Sequence, residues 1–543
     1  MTTSQSLPAF VATQPDAGAN SISEPLPALP RRYNAAAYFV DRHIAEGRGD
    51  KLALIDDEGS YTCAQLAERV NRAGNALKQL GVQPEHRVLL CLYDSIDFAA
   101  LFYGAIKIGA VAVPVNTLLT TADYEFTLSD SRASVAVVSA PLLEQFRPLL
   151  DRVKNLRVVL VSGATAGKHP KCANLNQTLA GASPQLEAVD TSADEVAFWI
   201  YTSGSTGRPK GAVHLHSSPF YTAVLFGERL LKIHPGDTTF STTKLWSSYG
   251  LGSSLSFPLH LGSVGVLTAA HPTPQSVMSV MRKHRPTILY SVPTLYAKIL
   301  ADPGLDRQAG FERLRACLSA GEALPEKVSR QWKERIGVDL LDGIGCSEML
   351  YHFITNCPGE VRHGSTGKGV AGYDIRLVAD NGREAEVGEP GDLWVRGPTA
   401  SGGYWNNRAA TNKVFFGPWV RTGDRFMRDA DGYYHFMGRI DEMLKVSGHW
   451  VFPLEVESAL GDHPGVAEAA VVGAVDSEGM VKPKAFVVLR EGVAASAELE
   501  AELKAFVKNR LAPFKYPRWI EFCPELPRTA TAKIQRFKLR ENA

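Results

Sequence analysis

A chain of 543 residues exceeds what one ordinary hydrophobic core can fill, so two or more domains are expected. Hydrophobic residues make up 45% and charged residues 21%, with a formal net charge of +1; this globular balance offers no basic excess for nucleic acid and no acidic tail. The seven cysteines (Cys63, Cys91, Cys172, Cys317, Cys346, Cys357, Cys523) form no Cys-x-x-Cys pair, which disfavours structural zinc and a disulfide framework and fits a reducing cytoplasm.

Residues 1–32 are rich in Ser, Thr, Ala and Pro, without the charged start and apolar core of a signal peptide, and read as a disordered leader. Folded pattern starts near Tyr33. Helix-period segments at about 36–46, 63–80, 96–108 and 141–153 alternate with apolar runs at 51–56, 87–93, 110–115, 133–139 and 156–162. The most apolar stretch, Phe98 to Val115, is interrupted by Lys107 and two glycines, so it reads as a buried helix entering a strand and not as a membrane span. Such alternation predicts a doubly wound α/β sheet with helices on its faces. Residues 164–195 are polar and read as a loop. A second alternating set follows, with a helix near 217–232, strands near 263–268 and 287–291, and a helix near 325–336. After about 360, Gly, Pro and Asp become frequent and strands shorten, which predicts a β-rich subdomain. The last hundred residues read as helix 453–461, strands 466–473 and 484–490, helix 496–510 and strand 518–522. A boundary at Gly438–Asp441 then gives a large domain over 33–438 and a small α+β domain over 439–543.

One string carries the first chemical signal: Tyr201-Thr202-Ser203-Gly204-Ser205-Thr206-Gly207-Arg208-Pro209-Lys210-Gly211. Glycines let successive N–H groups converge on one anion, the hydroxyls add neutral donors, and Lys210 adds a point charge. It is a phosphate loop. The Walker A pattern, which opens directly into a helix, does not fit, because Arg208-Pro209 separates Gly207 from Lys210 and a second strand follows. Further along, Asp342-Gly343-Ile344-Gly345-Cys346-Ser347-Glu348 sets two glycines beside a hydroxyl and a carboxylate, hard oxygen ligands that suit Mg²⁺. Asp424, in Trp419-Val-Arg-Thr-Gly-Asp424, is a natural acceptor for two vicinal hydroxyls.

Taken with Ser319-Ala-Gly321-Glu322-Ala-Leu-Pro325, Gly438-Arg439-Ile-Asp441-Glu-Met-Leu-Lys-Val-Ser-Gly448 and Pro527-Arg-Thr-Ala-Thr-Ala-Lys533-Ile-Gln-Arg536, these segments resemble the adenylate-forming superfamily in content and order. Within it they look most like the benzoate-CoA ligase branch. The resemblance implies ATP, Mg²⁺ and coenzyme A as cofactors, with Gly321 and Glu322 along the adenine and Asp342 accepting from its amino group. Ser347 would touch phosphate and Glu348 would hold the metal; Asp424 would take ribose, and Arg439 ribose or phosphate. Gly448 would border the thiol tunnel and Lys533 would be the catalytic lysine of a mobile C-terminal domain, with Asp441 as pivot. Two positions depart from the family pattern: Ile344 replaces an aromatic residue, and Ala532 stands where Gly precedes the lysine.

The same resemblance places the acid in a slot lined by Tyr221, Ala223, Trp246, Tyr249, Gly250 and Tyr351, beside the Gly321 and Ile344 backbones. Aromatic rings interleaved with glycines make a flat slot that suits a ring better than a long acyl chain. Trp246-Ser-Ser248 and Tyr351-His352 add polar groups that could accept a ring hydroxyl. The implied reaction is aryl-CoA formation through an acyl adenylate, on benzoate or a hydroxybenzoate. A ligase for another aryl or medium-chain acid and an enzyme loading a carrier protein are the alternatives; no carrier-like segment follows residue 543, which favours free coenzyme A. A P-loop ATPase lacks its Gly-Lys-Ser/Thr here, and a purely nucleotide-binding module leaves Lys533 and Glu348 unexplained.

Overall fold

The structure, a computed structural model, describes residues 25–163, 169–202, 208–446, 449–477, 479–528 and 534–541. Their contacts group into two compact units, one within Pro15–Ile375 together with Val395–Val420, the other within Arg376–Trp394 and Arg421–Ala543.

The first unit is built on two sheets. A seven-stranded sheet runs Cys172–Asn174, Val158–Ser162, Val135–Ser139, Arg87–Cys91, Val111–Pro114, Val196–Thr202, Lys210–Leu215. All neighbours are parallel except the last pair, which is antiparallel. Strands such as Val135–Ser139 are buried at every position, as expected of a parallel sheet covered on both faces. The nine-stranded sheet has a parallel centre: Leu340–Gly345, Ala316–Ser319, Ile288–Ser291, Thr238–Ser241, Val264–Val266, Leu52–Ile55. Strand order reverses at Thr238–Ser241, and in open α/β sheets ligands bind beyond the carboxyl ends of strands near such a reversal. Trp246 and Gly321 lie in the segments after Ser241 and Ser319, and Ile344 lies near the end of Leu340–Gly345.

Several sequence expectations change in detail. The segment 141–153 is not one helix but short turns at Leu143–Phe146 and Leu149–Arg152, separated by Pro148, whose missing N–H and fixed φ interrupt the ladder. Residues 164–195 are not all loop, since Cys172–Asn174 is a strand and Leu175–Ala180 a helix capped by the Asn174 side chain. Helices at Thr121–Ser131, Pro274–His284 and Pro293–Ala301 lie where no helix was expected. Capping boxes at Thr120 and Thr273 mark two of their starts. The expected buried helix and strand over 98–115 are present as Ile96–Lys107 and Val111–Pro114, and no helix among the described residues is long and apolar enough to cross a membrane.

In the second unit, the hairpin Val466–Val475/Val481–Leu489 and the parallel strand Trp519–Phe522 carry the helices Pro453–Gly461 and Ala497–Lys508 over Val456, Leu460, Val471, Val487, Leu503, Val507 and Ile520. The Gly438–Asp441 position expected as a boundary falls inside this unit. Strands Trp419–Arg428 and Tyr434–Arg439 pair antiparallel there, with Asp424 opposite Arg439, and helix Pro453–Gly461 packs on the second. Pairing across the turn therefore ties residues on both sides of Gly438 together.

Candidate active site

Strand Val196–Thr202 buries Phe198, Trp199 and Ile200, then returns as Lys210–Leu215 with Thr202 opposite Lys210. The phosphate string thus joins two antiparallel strands instead of opening a helix. Ser203, Gly204, Ser205, Thr206 and Gly207 lie outside the described residues. Lys210 is half-buried, and its Nζ sits 4.9 Å from the centroid of the Tyr404 ring.

Glu348 lies on a tight turn after strand Leu340–Gly345. Leu350 holds φ at +65°, a conformation that costs a branched residue roughly 1–3 kcal/mol and persists only when its surroundings enforce it. Three donors do so. His214 Nε2 donates to the Ser347 carbonyl at 2.7 Å, the Ser401 N–H to Glu348 O at 2.7 Å, and Thr399 Oγ1 to Met349 O at 2.8 Å. Burial pushes the His214 imidazole down to about 4, so it stays neutral and donates as the Nε2–H tautomer. Its ring stacks on Phe198 at 5.2 Å and 22°. The Tyr404 hydroxyl donates to Glu348 Oε1. Lys210, Tyr404 and Glu348 are therefore brought together. One carboxylate with a donor on one of its oxygens, among described residues that hold no group of three or more His, Cys, Asp or Glu, fits a hard cation held jointly with a polyphosphate and water, not a closed protein cage.

At the ends of strands Ile288–Ser291 and His352–Thr355 lies an aromatic layer. Tyr249 stacks on His352 (5.1 Å, 21°) and meets Tyr290 edge-on at 6.0 Å; Tyr351 lies 4.8 Å from His352 and packs on Phe226 and Phe257. Two π-helical stretches, Ala223–Leu230 and Gly252–Ser256, frame it, the kind of helix irregularity often found at functional sites. Close approach requires glycine: a Cβ on Gly343 would fall 2.7 Å from His352 Nδ1, and one on Gly250 2.2 Å from the Lys244 carbonyl. The hydroxyls of Tyr249 and Tyr290, both His352 nitrogens and Asp342 Oδ1 are buried without a hydrogen-bond partner among the described residues. Burial raises the Asp342 carboxyl well above the usual range and lowers the His352 imidazole to about 3.

The other slot residues take different positions. Tyr351 is buried and its hydroxyl is already committed to Ser253 at 2.7 Å. Ser247 is likewise engaged, bonding the Lys244 carbonyl and the Gly250 N–H. Ala223 is fully buried, Tyr221 half-buried against Phe220, and the buried Nε1 of Trp246 has no partner among the described residues. Leu245, next to Trp246, is held by its N–H on Asp94 Oδ1 at 3.0 Å. Gly321 turns with φ +91°, and Glu322 is half-buried beside it.

In the second unit, Arg439 NH1 donates to Asp424 Oδ1 at 2.9 Å and to the Thr422 carbonyl at 3.1 Å, so these two expected nucleotide contacts are cross-strand partners. Gly448 and Lys533 lie outside the described residues. Around Lys533, Arg528 pairs with Ile534 as an isolated bridge, and Arg536 is clamped on Glu457 at 2.8 Å and Glu442 at 3.1 Å.

Sequence reasoning missed His214, Asp94 and Tyr404. Only Tyr404 left a local signal, in the run Gly402-Gly403-Tyr404-Trp405; His214 and Asp94 reach their partners across the fold.

Comparison with known proteins agrees with this architecture. The profile described as AMP-binding enzyme matches residues 41–405, and that of the AMP-binding enzyme C-terminal domain residues 455–533. A benzoate–CoA ligase of Thauera aromatica is 51% identical over 96% of this chain and 98% of its own length. A 4-hydroxybenzoate–CoA/benzoate–CoA ligase of Rhodopseudomonas palustris is 44% identical over 94% of each chain. The crystal structure of the anthranilate CoA ligase AuaEII in complex with anthranoyl-AMP superposes with a TM-score of 0.89 at 40% identity, covering 95% of this chain and 98% of that one. On that extent of match, the protein belongs to the AMP-binding enzyme family.

Proposed function

We propose that the chain is an ATP-dependent aromatic carboxylate–CoA ligase. It joins the acid to AMP with release of pyrophosphate, then passes the acyl group to coenzyme A with release of AMP. The observation that carries this reading is the likeness to a benzoate–CoA ligase along nearly the whole chain. The aromatic layer around Tyr249 and His352 supports it from the side of the substrate.

In the first half-reaction a carboxylate oxygen attacks the α-phosphorus and the bond to pyrophosphate breaks. The protein's task is to hold two anions in line and to neutralise charge as it develops. Lys210 and the hydroxyls of the phosphate string face the polyphosphate, Asp342 and Gly321 frame the adenine, and Asp424 with Arg439 takes the ribose. Glu348 would hold Mg²⁺, which would supply positive charge to the phosphates, and Ser347 would touch phosphate. Lys533 adds the last cation. In the second half the coenzyme A sulfur attacks the acyl carbonyl and the bond to AMP breaks. Seven free cysteines fit a reducing cytoplasm.

The acid is a benzoate carrying a hydroxyl or similar donor at least as readily as benzoate itself. Buried polar atoms without partners cost about 1–3 kcal/mol each, and a ring substituent that meets one recovers that energy. Of the hydroxyl and imidazole groups the sequence offered, Ser247 and Tyr351 are already engaged, which leaves Ser248 and His352; the buried Tyr249 hydroxyl joins them. A site with such a partner can reject the analogue lacking it by up to ~10⁴-fold. The test is kcat/KM for benzoate, 3- and 4-hydroxybenzoate, 2-aminobenzoate and octanoate. An octanoate preference would overturn the aromatic slot, whereas benzoate ahead by tenfold would remove only the polar partner.

A further inference from the structure

We infer that Tyr404 is a positioning residue for adenylation: its hydroxyl orients the Glu348 carboxylate while its ring seats the Lys210 ammonium. One side chain would then set the spacing of two charges that meet the polyphosphate. The inference rests on the roles proposed above for Glu348 and Lys210.

Tyr404 is itself held firmly. The Gly402 N–H donates to Val213 O at 2.8 Å, the Val213 N–H to Gly403 O at 3.0 Å, and the Trp405 N–H to Gly211 O at 2.9 Å. Residues 402–405 are thereby zipped onto the strand that begins with Lys210. The Tyr404 N–H is bonded to Thr411 Oγ1 at 3.1 Å, and the ring packs edge-on against Phe415 at 5.5 Å and 78°. The residue is 7% exposed. Backbone and ring fixed in this way leave the hydroxyl one place to point, and it points at Glu348 Oε1.

Glu348 and Lys210 gain different things from the contact. A glutamate has three rotatable bonds, and an uncommitted carboxylate searches many positions before it meets a cation. With Oε1 occupied by a fixed donor, Oε2 is the oxygen left for a metal. Lys210 and Glu348, of opposite charge, would also neutralise each other if they met directly. No ion pair joins them among the described residues; the Tyr404 ring takes the ammonium on its face while its hydroxyl takes the carboxylate. Both charges are kept apart and available. A hydrogen bond to a charged group is strong enough to change a metal affinity about tenfold.

The test uses the full-length protein with Tyr404→Phe, Tyr404→Leu, Glu348→Gln and the Tyr404→Phe/Glu348→Gln double variant. Mn²⁺ affinity is read by paramagnetic resonance in the presence of the unreactive α,β-methylene analogue of ATP. ATP–pyrophosphate exchange and thioester formation from supplied aryl adenylate are measured separately. Tyr404→Phe is expected to weaken Mn²⁺ binding about tenfold, with the KM for the aryl acid and the thioester step within twofold of the parent. Tyr404→Leu should in addition raise the KM for ATP, and the double variant should bind Mn²⁺ no worse than Glu348→Gln alone. Mn²⁺ affinity unchanged in Tyr404→Phe while Glu348→Gln weakens it would overturn the role of Tyr404 and leave that of Glu348 intact. Unchanged affinity in Glu348→Gln would overturn both. Equal losses in both half-reactions with a lowered Tm would assign Tyr404 to packing and overturn the inference as well.

Discussion

The turn at Ser347–Leu350 runs directly into Tyr351 and His352 of the aromatic layer, yet the two are opposite in character. In the turn, three successive carbonyls are each met by a donor from elsewhere in the fold, and the Glu348 carboxylate has its own. In the layer, two hydroxyls, two imidazole nitrogens and a carboxyl oxygen are buried with no partner among the described residues. A fully satisfied element is preorganised, and suits a ligand whose shape never varies, such as the triphosphate of ATP. An unsatisfied one holds energy that only the right ligand releases, and suits the part of the reaction where discrimination is needed.

The largest expected effect tests how far a preset turn can go alone. Charges on the turn and its neighbours cover only part of the negative charge that builds during adenylation, and Lys533 is proposed to supply the rest. Lys533→Ala should slow adenylation on the order of 10²–10³-fold while still converting supplied acyl adenylate to thioester. Equal losses in both half-reactions would refute the assignment. Next comes rigidity of the layer. Gly343→Ala would place a methyl 2.7 Å from His352 Nδ1 and 2.8 Å from Thr355 Oγ1, inside a packed strand pair. Overpacking of this kind costs about 1–3 kcal/mol and should displace the imidazole, so thermal unfolding should fall and the KM for the acid should rise. A Tm within experimental error of the parent would mean that the layer yields easily and is not preset.

How much of this was legible beforehand depended on whether a feature is local. The strand-to-strand course of the phosphate string follows from Arg208-Pro209 and the apolar alternation after it, and the buried helix before Val111 from composition alone. The helix at Thr121–Ser131 escaped notice because its apolar stripe is thin: Tyr124, Thr127, Leu128 and Ser131 are the buried positions, and only Leu128 lacks a hydroxyl. Within the site, Lys210 and Glu348 were identified by their neighbours in the chain. His214 and Asp94 act over separations of 133 and 151 residues and left no spacing to read. Nor could sequence tell that Tyr351 spends its hydroxyl on Ser253 while Tyr249 keeps its own.

That difference between two tyrosines whose ring centroids lie 5.6 Å apart allows a direct comparison. Tyr351→Phe breaks the bond to Ser253 and should lower stability by about 1 kcal/mol, leaving the ratio of hydroxybenzoate to benzoate turnover unchanged. Tyr249→Phe removes a hydroxyl that is bonded to nothing described, so stability should hold or rise slightly. The hydroxybenzoate advantage should then shrink by roughly tenfold. Tyr249→Phe with lowered stability and an unchanged substrate ratio would erase the distinction between satisfied and waiting groups.

A pH-dependent effect is expected at Asp94, where the acid slot is pinned as the turn is. Asp94 is buried and accepts the Leu245 N–H at 3.0 Å, next to Trp246. Burial raises its carboxyl from 3.8 to about 6, with Lys244 opposing the shift. Below the unfolded value both states hold the proton and the group has no effect. Between 3.8 and about 6 the unfolded chain gives up its proton while the folded chain keeps it, so stability falls as pH rises. Above that window the penalty is constant. Between pH 5 and pH 7.5 this single carboxyl should remove about 1.4 kcal/mol, on the order of half its full penalty. Asp94→Asn keeps an oxygen for the Leu245 N–H and cannot ionise, so the gap between its unfolding free energies at the two pH values should differ from the parent's by that amount, in the direction of greater stability at pH 7.5. If the carboxyl is instead held ionised at pH 5, the two proteins will change in parallel, and the slot wall will have to be counted with the satisfied turn.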